Sequence, residues 1–455
     1  MKKLMALAIV SVVAASTPSW AIIGMGDIKF DGSLEVSGNS ANNETDFAPA
    51  NDHRGNTTSR VRLGMDTVVT EGVNGRLEVT RTAERAGSGE VLYGGSSRSN
   101  SVHTESANLF LDNAYVEFEN LWNHKFRLGR QYVGQQGDLI WHIGPKSDDS
   151  LSVTSIDGLR AECTQIEKWL GELFVGKLSE DDAVANSDAG DTTGDVNLGN
   201  LSVVYSLRPE AILNAGFLWG VDSNTASASD NNRLNIIRVG SKGGFQENLF
   251  TYRAEYLQNS GALQSGTTDY KGSAIDIGFG FNPKDTSIGN FGLWLNYVQA
   301  SGDDKSDKED KSFHDFSTFG TNTSDRYFGE IYGRSNTLGG GTPSGQGLDS
   351  GVQGSGLVVL NFGFHFKPAK LPKNWVRFDY FNLKTDKDVS TTLGDKLGNE
   401  LDITFGYDQS NNVKIVFGYA QLTPDSALIG STTAPDDDVT KFFARANVHW
   451  GGEDK

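Results

Sequence analysis

The chain has 455 residues, only 37% of them hydrophobic, and carries a formal net charge of −18 at pH 7. This acidic balance argues against a nucleic-acid partner. No stretch reaches the roughly 18 uninterrupted apolar residues that a transmembrane helix requires, so any crossing of a bilayer must be made by strands.

The N-terminus has the pattern of an export signal. Lys2 and Lys3 precede an apolar run, and Ser19-Trp20-Ala21 offers small residues at the positions that a signal peptidase recognises. We therefore predict a signal peptide over 1–21 and a single barrel domain over 22–455. With one cysteine in the sequence, no intrachain disulfide is possible.

After the signal peptide, the sequence contains eighteen stretches in which apolar and polar residues alternate. Their connections alternate between tight turns, such as Glu71-Gly72, and much longer links. Outer-membrane barrels sort their connections in this way, with short turns on the periplasmic side and long loops outside. The pattern predicts an all-β fold, a transmembrane antiparallel barrel of about 18 strands in the bacterial outer membrane. The predicted strands are 28–37, 58–69, 73–82, 109–118, 125–132, 156–163, 169–178, 200–207, 211–221, 233–242, 248–258, 271–282, 290–301, 356–367, 374–384, 398–408, 412–422 and 440–450.

The last predicted strand shows the two faces clearly. Phe442, Val448 and Trp450 fall on one side, while Arg445 and His449 fall on the other. We expect the first set to contact lipid and the second to face water in the lumen. Aromatic residues near strand ends are expected to form interfacial girdles. They are Trp169, Trp219, Trp294, Trp375, Tyr419 and Trp450.

The link 302–355 is the longest in the chain. It begins with an acidic run at 303–310, becomes aromatic between Phe313 and Tyr332, and ends rich in glycine. Links of this length are usually functional or disordered. The aromatic middle favours packing, either as a constriction in the lumen or as a cap over the outer mouth, and disorder is the alternative.

Signals for metal binding and catalysis are weak. The acidic runs at 188–195 and 303–310 lack the spacing of an EF-hand, which favours solvated loops over calcium sites. The seven histidines show no metal-ligand spacing, and neither H-E-x-x-H nor G-x-S-x-G occurs. We predict no metal, no cofactor and no enzymatic activity. An outer-membrane lipase would require a lipid-facing Ser and His pair, and His449 falls on the inward side.

Several motifs resemble the alginate-export family of outer-membrane barrels. They are NAYVEF at 113–118, RLGRQ at 127–131, IDGLR at 156–160, FHDF at 313–316, RYFG at 326–329 and LGNELDI at 397–403. The resemblance implies a monomeric barrel of eighteen strands that exports a polysaccharide through a basic constriction. The sequence departs from the family after Gly137-Asp138, where Leu139 stands in place of an expected basic residue.

Inward positions of the predicted strands carry charges of both signs. Opposite charges about 4 Å apart attract by about 4 kcal/mol at an effective dielectric constant near 20, so many of these residues are expected to brace the wall as ion pairs. Alternatively, a subset forms a ring that selects solutes. The candidates for lining the pore or binding solute are Arg127, Arg130, Arg160, Glu400, Asp402, Arg377 and Arg445.

Two functions follow from a charged lumen. The first is a porin-like channel for small hydrophilic or anionic solutes, and the alternative is an exporter of a secreted, alginate-type polysaccharide. A conduit for a polyanion should be strongly basic, whereas the inward charges here are mixed, so we favour the first. The expected partners are outer-membrane lipid and the transported solute.

Overall fold

A computed structural model of the chain describes residues 28–44, 47–48, 53–86, 92–93, 109–147, 151–179, 195–223, 232–263, 268–284, 286–304, 309–319, 323–334 and 354–451. The predicted signal peptide lies outside these residues and stays a prediction.

Eighteen antiparallel strands form the wall. In chain order they are β1 (Ile28–Asn42), β2 (Arg54–Thr70), β3 (Val73–Ala86), β4 (Phe110–Leu121), β5 (His124–Gln131), β6 (Ile156–Cys163), β7 (Trp169–Ser179), β8 (Val196–Arg208), β9 (Ala211–Asp222), β10 (Asn232–Phe245), β11 (Phe250–Leu263), β12 (Ser273–Phe281), β13 (Gly289–Ala300), β14 (Leu357–Pro368), β15 (Asn374–Lys384), β16 (Lys396–Ser410), β17 (Val413–Pro424) and β18 (Val439–Trp450). Short pieces at Leu92–Tyr93, Val133–Gly134, His142–Ile143, Thr268–Tyr270 and Glu309–Asp310, a 3-10 turn at Phe316–Phe319 and a helix at Ser426–Ile429 lie in the links.

The sheet closes on itself. Each wall strand pairs with the next, and β1 pairs with β18 from Gly32 opposite Trp450 to Asn42 opposite Thr440. Closure leaves no unpaired strand edge, which a wall in contact with lipid requires because hydrocarbon cannot satisfy backbone N–H and C=O groups. The predicted all-β barrel and its strand number are confirmed.

Several strands extend further than the hydropathy pattern predicted. The pattern ended the first strand at residue 37, whereas its ladder continues to Asn42, and the third strand continues past residue 82 to Ala86. In these extensions the barrel projects beyond the apolar layer. Backbone pairing persists there, but the alternation that marks a lipid-facing strand is lost.

The outer face of the wall carries exposed apolar side chains. Leu128, Phe405, Phe417 and Phe442 each expose more than half of their surface. On a protein in water such a belt would be a liability, whereas lipid covers it at no cost. No helix among the described residues is both long enough and apolar enough to span a membrane.

Two of the predicted girdle tryptophans face the lumen instead. The indole Nε1 of Trp294 donates to Asn361 at 3.1 Å, and that of Trp375 donates to Asp408 at 3.1 Å. Each indole ring lies over the glycine that is paired with the tryptophan on the neighbouring strand. For Trp294 this glycine is Gly363. A side chain at that glycine would overlap the indole, so the pair works only with glycine. Both tryptophans contribute to the inner wall and not to a girdle.

The wall connections differ at the two ends of the barrel. Every even-numbered strand from β2 to β16 is joined to the next strand by a tight connection. We call the end of the barrel with these connections the short-turn end. The other connections form the long-link end. Among the described residues at that end, two links fold into the lumen: the link between β5 and β6, and the link between β13 and β14.

The two infolded links form an apolar core inside the barrel. Trp141 from the first packs edge-on against Phe174 of the wall, with ring centroids 6.1 Å apart, and against Phe316 from the second at 5.8 Å. Leu139 and Phe313 are also fully buried there. The aromatic middle of the longest link therefore packs in the lumen, in its described part.

Arg60 fixes the first infolded link to the wall. It is only 3% exposed; its guanidinium pairs with Glu35 and donates from Nη1 to the carbonyl oxygens of Lys146 and Leu151, both at 3.0 Å. We expect Arg60→Gln to lower the free energy of unfolding by about 3–5 kcal/mol, because it leaves buried Glu35 without its closest charge partner. Urea unfolding in detergent measures this effect.

Arg62→Gln is the matched control for that variant. Arg62 also contacts Glu35, at 3.2 Å, but it is more exposed. An equal loss of stability in the two variants would contradict the role assigned to Arg60.

Candidate functional site

The two infolded links are joined to each other across the lumen. The Asp325 carboxylate accepts hydrogen bonds from the backbone N–H of Gly137 at 3.2 Å and of Ser147 at 3.3 Å. The Asp325 N–H donates to the carbonyl of Asp138 at 3.1 Å, and Lys146 Nζ donates to the carbonyl of Ser324 at 2.8 Å. These contacts make one constriction from two links, and we call it the luminal constriction.

A second set of contacts ties the longer link to the wall, and we call it the loop latch. Glu400 accepts from the N–H groups of Ile331 and Tyr332 at 2.6 and 2.8 Å. Asp402 accepts from the Tyr327 hydroxyl at 2.6 Å and from the Glu330 N–H at 3.1 Å. Together the two carboxyl groups accept hydrogen bonds from three consecutive backbone N–H groups and one hydroxyl of the link.

Glu330 completes the loop latch from the side of the link. Its carboxylate pairs with Arg445 at 2.6 Å, and its carbonyl accepts from Lys441 Nζ at 2.6 Å. Burial alone would raise the pKa of Glu330, but the charges of Arg334 and Arg445 outweigh burial and lower that pKa to about 2. Glu330 therefore stays ionised, and its contribution to stability is lost only as the pH falls toward 2.

A cavity of about 1000 Å³ lies between the luminal constriction and the short-turn end. It reaches from Pro209 and Asn248 at the short turns to Gln136 and Asp325 at the constriction. A smaller cavity of about 420 Å³ adjoins it and shares some of its lining. The charged residues that line the larger cavity are Glu210, Lys242, Arg253, Asp325, Arg326, Arg334 and Arg377.

Some of these cations are neutralised by the wall. Arg253 contacts Asp276 through Nε at 2.7 Å and through Nη2 at 2.8 Å. Arg377 binds Asp379 at 2.5 Å, and its guanidinium carbon lies 5.0 Å from the Trp294 ring centroid. Pairs of this kind stiffen the wall and add little net field.

Three other cations are weakly compensated. Lys242 Nζ contacts the Gln135 side chain at 3.3 Å and has no ion pair within the described ranges. Arg326 reaches only 3.5 Å from Asp276, which Arg253 already binds. Arg334 lies 3.8 Å from Glu330, which Arg445 already binds. Basic residues therefore outnumber acidic ones in the lining of the larger cavity, five to two.

The structure places the predicted site residues in three settings. Arg377 lines the larger cavity, and Arg160 lines the smaller one while pairing with Glu172. Glu400, Asp402 and Arg445 are in the loop latch, where Glu400 and Asp402 are buried under the link and Arg445 is partly exposed. Binding of solute by any of these residues stays a prediction.

Arg127 and Arg130 lie on opposite faces of β5. Arg127 pairs with inward Glu117, and its guanidinium carbon lies 4.2 Å from the Tyr115 ring centroid. Arg130 shares the outer face with Leu128, which is 58% exposed, and pairs with Asp157. The two arginines are three residues apart, and a regular strand sends such residues to opposite sides. The structure thus places Arg130 outside the lumen.

The sequence did not single out Lys242, Arg326 or Arg334. Lys242 is the last residue of a predicted strand, and the alternation of apolar and polar residues in that strand indicates which face of the wall its side chain is on. Arg326 and Arg334 lie in a link without periodicity, so no sequence signal pointed them into the lumen. The motif RYFG at 326–329 carries a family resemblance and no signal for the position of Arg326.

One cluster in the described part of the chain has the residue types of a catalytic triad but not its geometry. No group of three or more His, Cys, Asp and Glu side chains there could hold a metal ion. Ser312, His314 and Asp310 are neighbours, but His314 Nε2 faces both Asp310, at 2.8 Å, and Ser312, at 3.3 Å. A catalytic triad needs the two partners on different ring nitrogens.

Comparison with known proteins identifies the fold. No family model and no curated protein matches the sequence. The structure is similar to Pseudomonas aeruginosa OccK5 (OpdH), with 13% identity, a TM-score of 0.56, and coverage of 93% of this chain and 98% of that one. It is similar to Pseudomonas aeruginosa OpdQ (11%, 0.58, 93% and 99%) and to Acinetobacter baumannii OccAB2 (13%, 0.57, 93% and 98%). At this identity the likeness shows the fold.

The resemblance to the alginate-export family is wrong. The similar structures include Occ proteins and OprD, which belong to a different family of outer-membrane barrels with eighteen strands. The motifs behind the resemblance are short, and most of them are strand segments with the alternation that any lipid-facing barrel shows. The polysaccharide partner implied by that family loses its support.

Proposed function

We propose that the protein is an outer-membrane channel that passes small hydrophilic solutes and prefers anions. One observation carries the proposal: the water-accessible cavity inside a closed barrel is lined by five basic residues and two acidic ones. One of the acidic pair, Asp325, has its carboxylate engaged by backbone N–H groups of the constriction. A field of one sign inside low-dielectric walls concentrates counter-ions.

The luminal constriction favours small solutes over a polymer. Two links cross the lumen and are held by the loop latch, by Arg60 and by the apolar core around Trp141. An extended polysaccharide would have to displace these contacts. The arrangement therefore supports a selective pore for small molecules in preference to an exporter.

The same proposal includes two further points: the protein transports solutes without catalysing a reaction, and it works as a monomer. The residues that build the constriction and the cavity all come from one chain, so a single barrel suffices for conduction. The arrangement of Ser312 and His314 does not support a hydrolytic role. We place the short-turn end in the periplasm and the long-link end outside.

Reversal potentials in planar bilayers under a salt gradient test the anion preference. We expect the unmodified channel to favour chloride over potassium. The combined variant K242Q/R326Q/R334Q should lower the chloride-to-potassium permeability ratio about tenfold, because each lost charge contributes about 0.5 kcal/mol at roughly 9 Å in a wet lumen, and about 1.4 kcal/mol in total is a factor of ten. These three are chosen because the carboxylates that they contact, Asp276 and Glu330, each keep a closer basic partner.

R130Q is the matched control, because Arg130 faces away from the lumen. Its permeability ratio should equal that of the unmodified channel. A cation-selective unmodified channel, or an unchanged ratio in the combined variant, would refute the proposal.

A further inference from the structure

A line of charged and polar residues crosses the outer face of the wall near the long-link end. Across successive ladders, Arg130 lies opposite Asp157, Asp157 opposite Lys177, and Lys177 opposite Asn197. The line continues from Asn197 through Val221 to Arg233. We call Arg130, Asp157, Lys177, Asn197 and Arg233 the outer charged row.

The outer charged row lies at the border of the apolar belt. Each of its first three members is followed, two residues closer to the short-turn end, by an exposed apolar residue on the same face. These residues are Leu128 for Arg130, Leu159 for Asp157 and Val175 for Lys177. On β9, Trp219 and Phe217 lie two and four residues from Val221 toward the short-turn end, and their rings stack with centroids 5.9 Å apart. Aromatic residues mark the membrane–water interface, so the row lies at the level of lipid headgroups.

Two of the three basic residues in the row, Arg130 and Arg233, keep N–H donors that no described residue uses. Arg130 is 43% exposed and uses Nε and Nη2 to hold Asp157, so its Nη1 edge makes no bond to the described residues. Arg233 is exposed and has no ion pair within the described ranges. Lys177 is 36% exposed and pairs with Asp195 at 2.9 Å. The carboxylates hold the basic side chains in place at the wall.

The spacing of the basic residues indicates the ligand. Neighbouring strands are about 4.8 Å apart, so Arg130 and Lys177 are separated by about 10 Å along the row, and Lys177 and Arg233 by about 14 Å. One phosphate cannot bridge such distances, whereas a large headgroup with several phosphates can. Arginine and lysine are the side chains that proteins use for phosphate.

We propose that the outer charged row binds a phosphorylated lipid headgroup of the outer leaflet. The long-link end faces that leaflet in the orientation assigned above, and the acyl chains would lie along Leu128, Leu159 and Val175. This interaction concerns the lipid-facing wall, so it goes beyond the transport function and does not depend on which solute passes.

Native mass spectrometry of the mature barrel, with purified bis-phosphorylated lipid A as the probe, tests the proposal. The unmodified protein should bind the probe, and R130Q/K177Q/R233Q should bind it at least about tenfold more weakly, because each basic residue near an anionic surface contributes several-fold to affinity. The dephosphorylated form of the same lipid should bind weakly to both. Equal binding of the two lipids, or equal binding by the two proteins, would overturn the proposal.

The matched control is K168Q/K284Q/K370Q, which removes three exposed lysines at the short turns. It should bind lipid A as the unmodified protein does, and an equal loss in this control would also overturn the proposal. Charge-preserving R130K/R233K keeps the test valid if the glutamine variant fails to fold, because it should retain binding. Channel selectivity should be unchanged in all these variants, which separates this result from a failure of the transport proposal.

Discussion

Replacing Glu400 and Asp402 by their amides is expected to raise the single-channel conductance several-fold. These two carboxyl groups accept hydrogen bonds from three consecutive N–H groups of the longer link, at 330–332, and from the Tyr327 hydroxyl. A buried donor left without its acceptor costs about 1–3 kcal/mol, and an amide also turns an N–H group toward donors that need an acceptor. The link should leave the lumen and widen the luminal constriction.

Planar-bilayer recordings of E400Q/D402N measure this effect, and D408N is the matched control. Asp408 lies on the same strand, β16, and faces the lumen, but it binds Lys367 and Trp375 and not the link. Its removal should leave the conductance within the range of the unmodified channel. Equal conductance in E400Q/D402N and D408N would show that the loop latch does not hold the constriction.

Trp141→Ala is expected to release the first infolded link while the wall stays folded. Trp141 fills the space between Phe174 and Phe316, and truncating a buried tryptophan typically costs about 3–5 kcal/mol. The backbone ladder of the barrel does not depend on this ring. Limited proteolysis should therefore cut the link between β5 and β6 much faster in the variant, with the heat-shifted electrophoretic mobility of the barrel preserved.

W122A provides the comparison for that experiment. Trp122 lies in the tight turn between β4 and β5 and is 78% exposed, so its removal creates no cavity. Similar cleavage rates in W141A and W122A would contradict the view that the apolar core holds the link in place.

The barrel itself was predictable because its pattern is local. Each wall residue must face either lipid or water, and successive residues alternate, so the strand number and the sorting of turns follow from short windows of sequence. The same rule assigns Arg127 and Arg130 to opposite faces of β5. The resemblance to a family drew both into one site, against the alternation. Trp294 and Trp375 also obeyed the alternation, and their position near strand ends suggested a girdle that they do not join.

The sequence by itself determined a closed wall with an apolar outer face and a charged inner face. Only the tertiary structure decided what fills that wall, because the infolded links have no periodicity and their contacts join residues far apart in the chain. Glu400 reaches Ile331, and Arg60 reaches Lys146. Whether an inward carboxylate faces water or holds a link depends on where the link lies, and no local pattern contains that information.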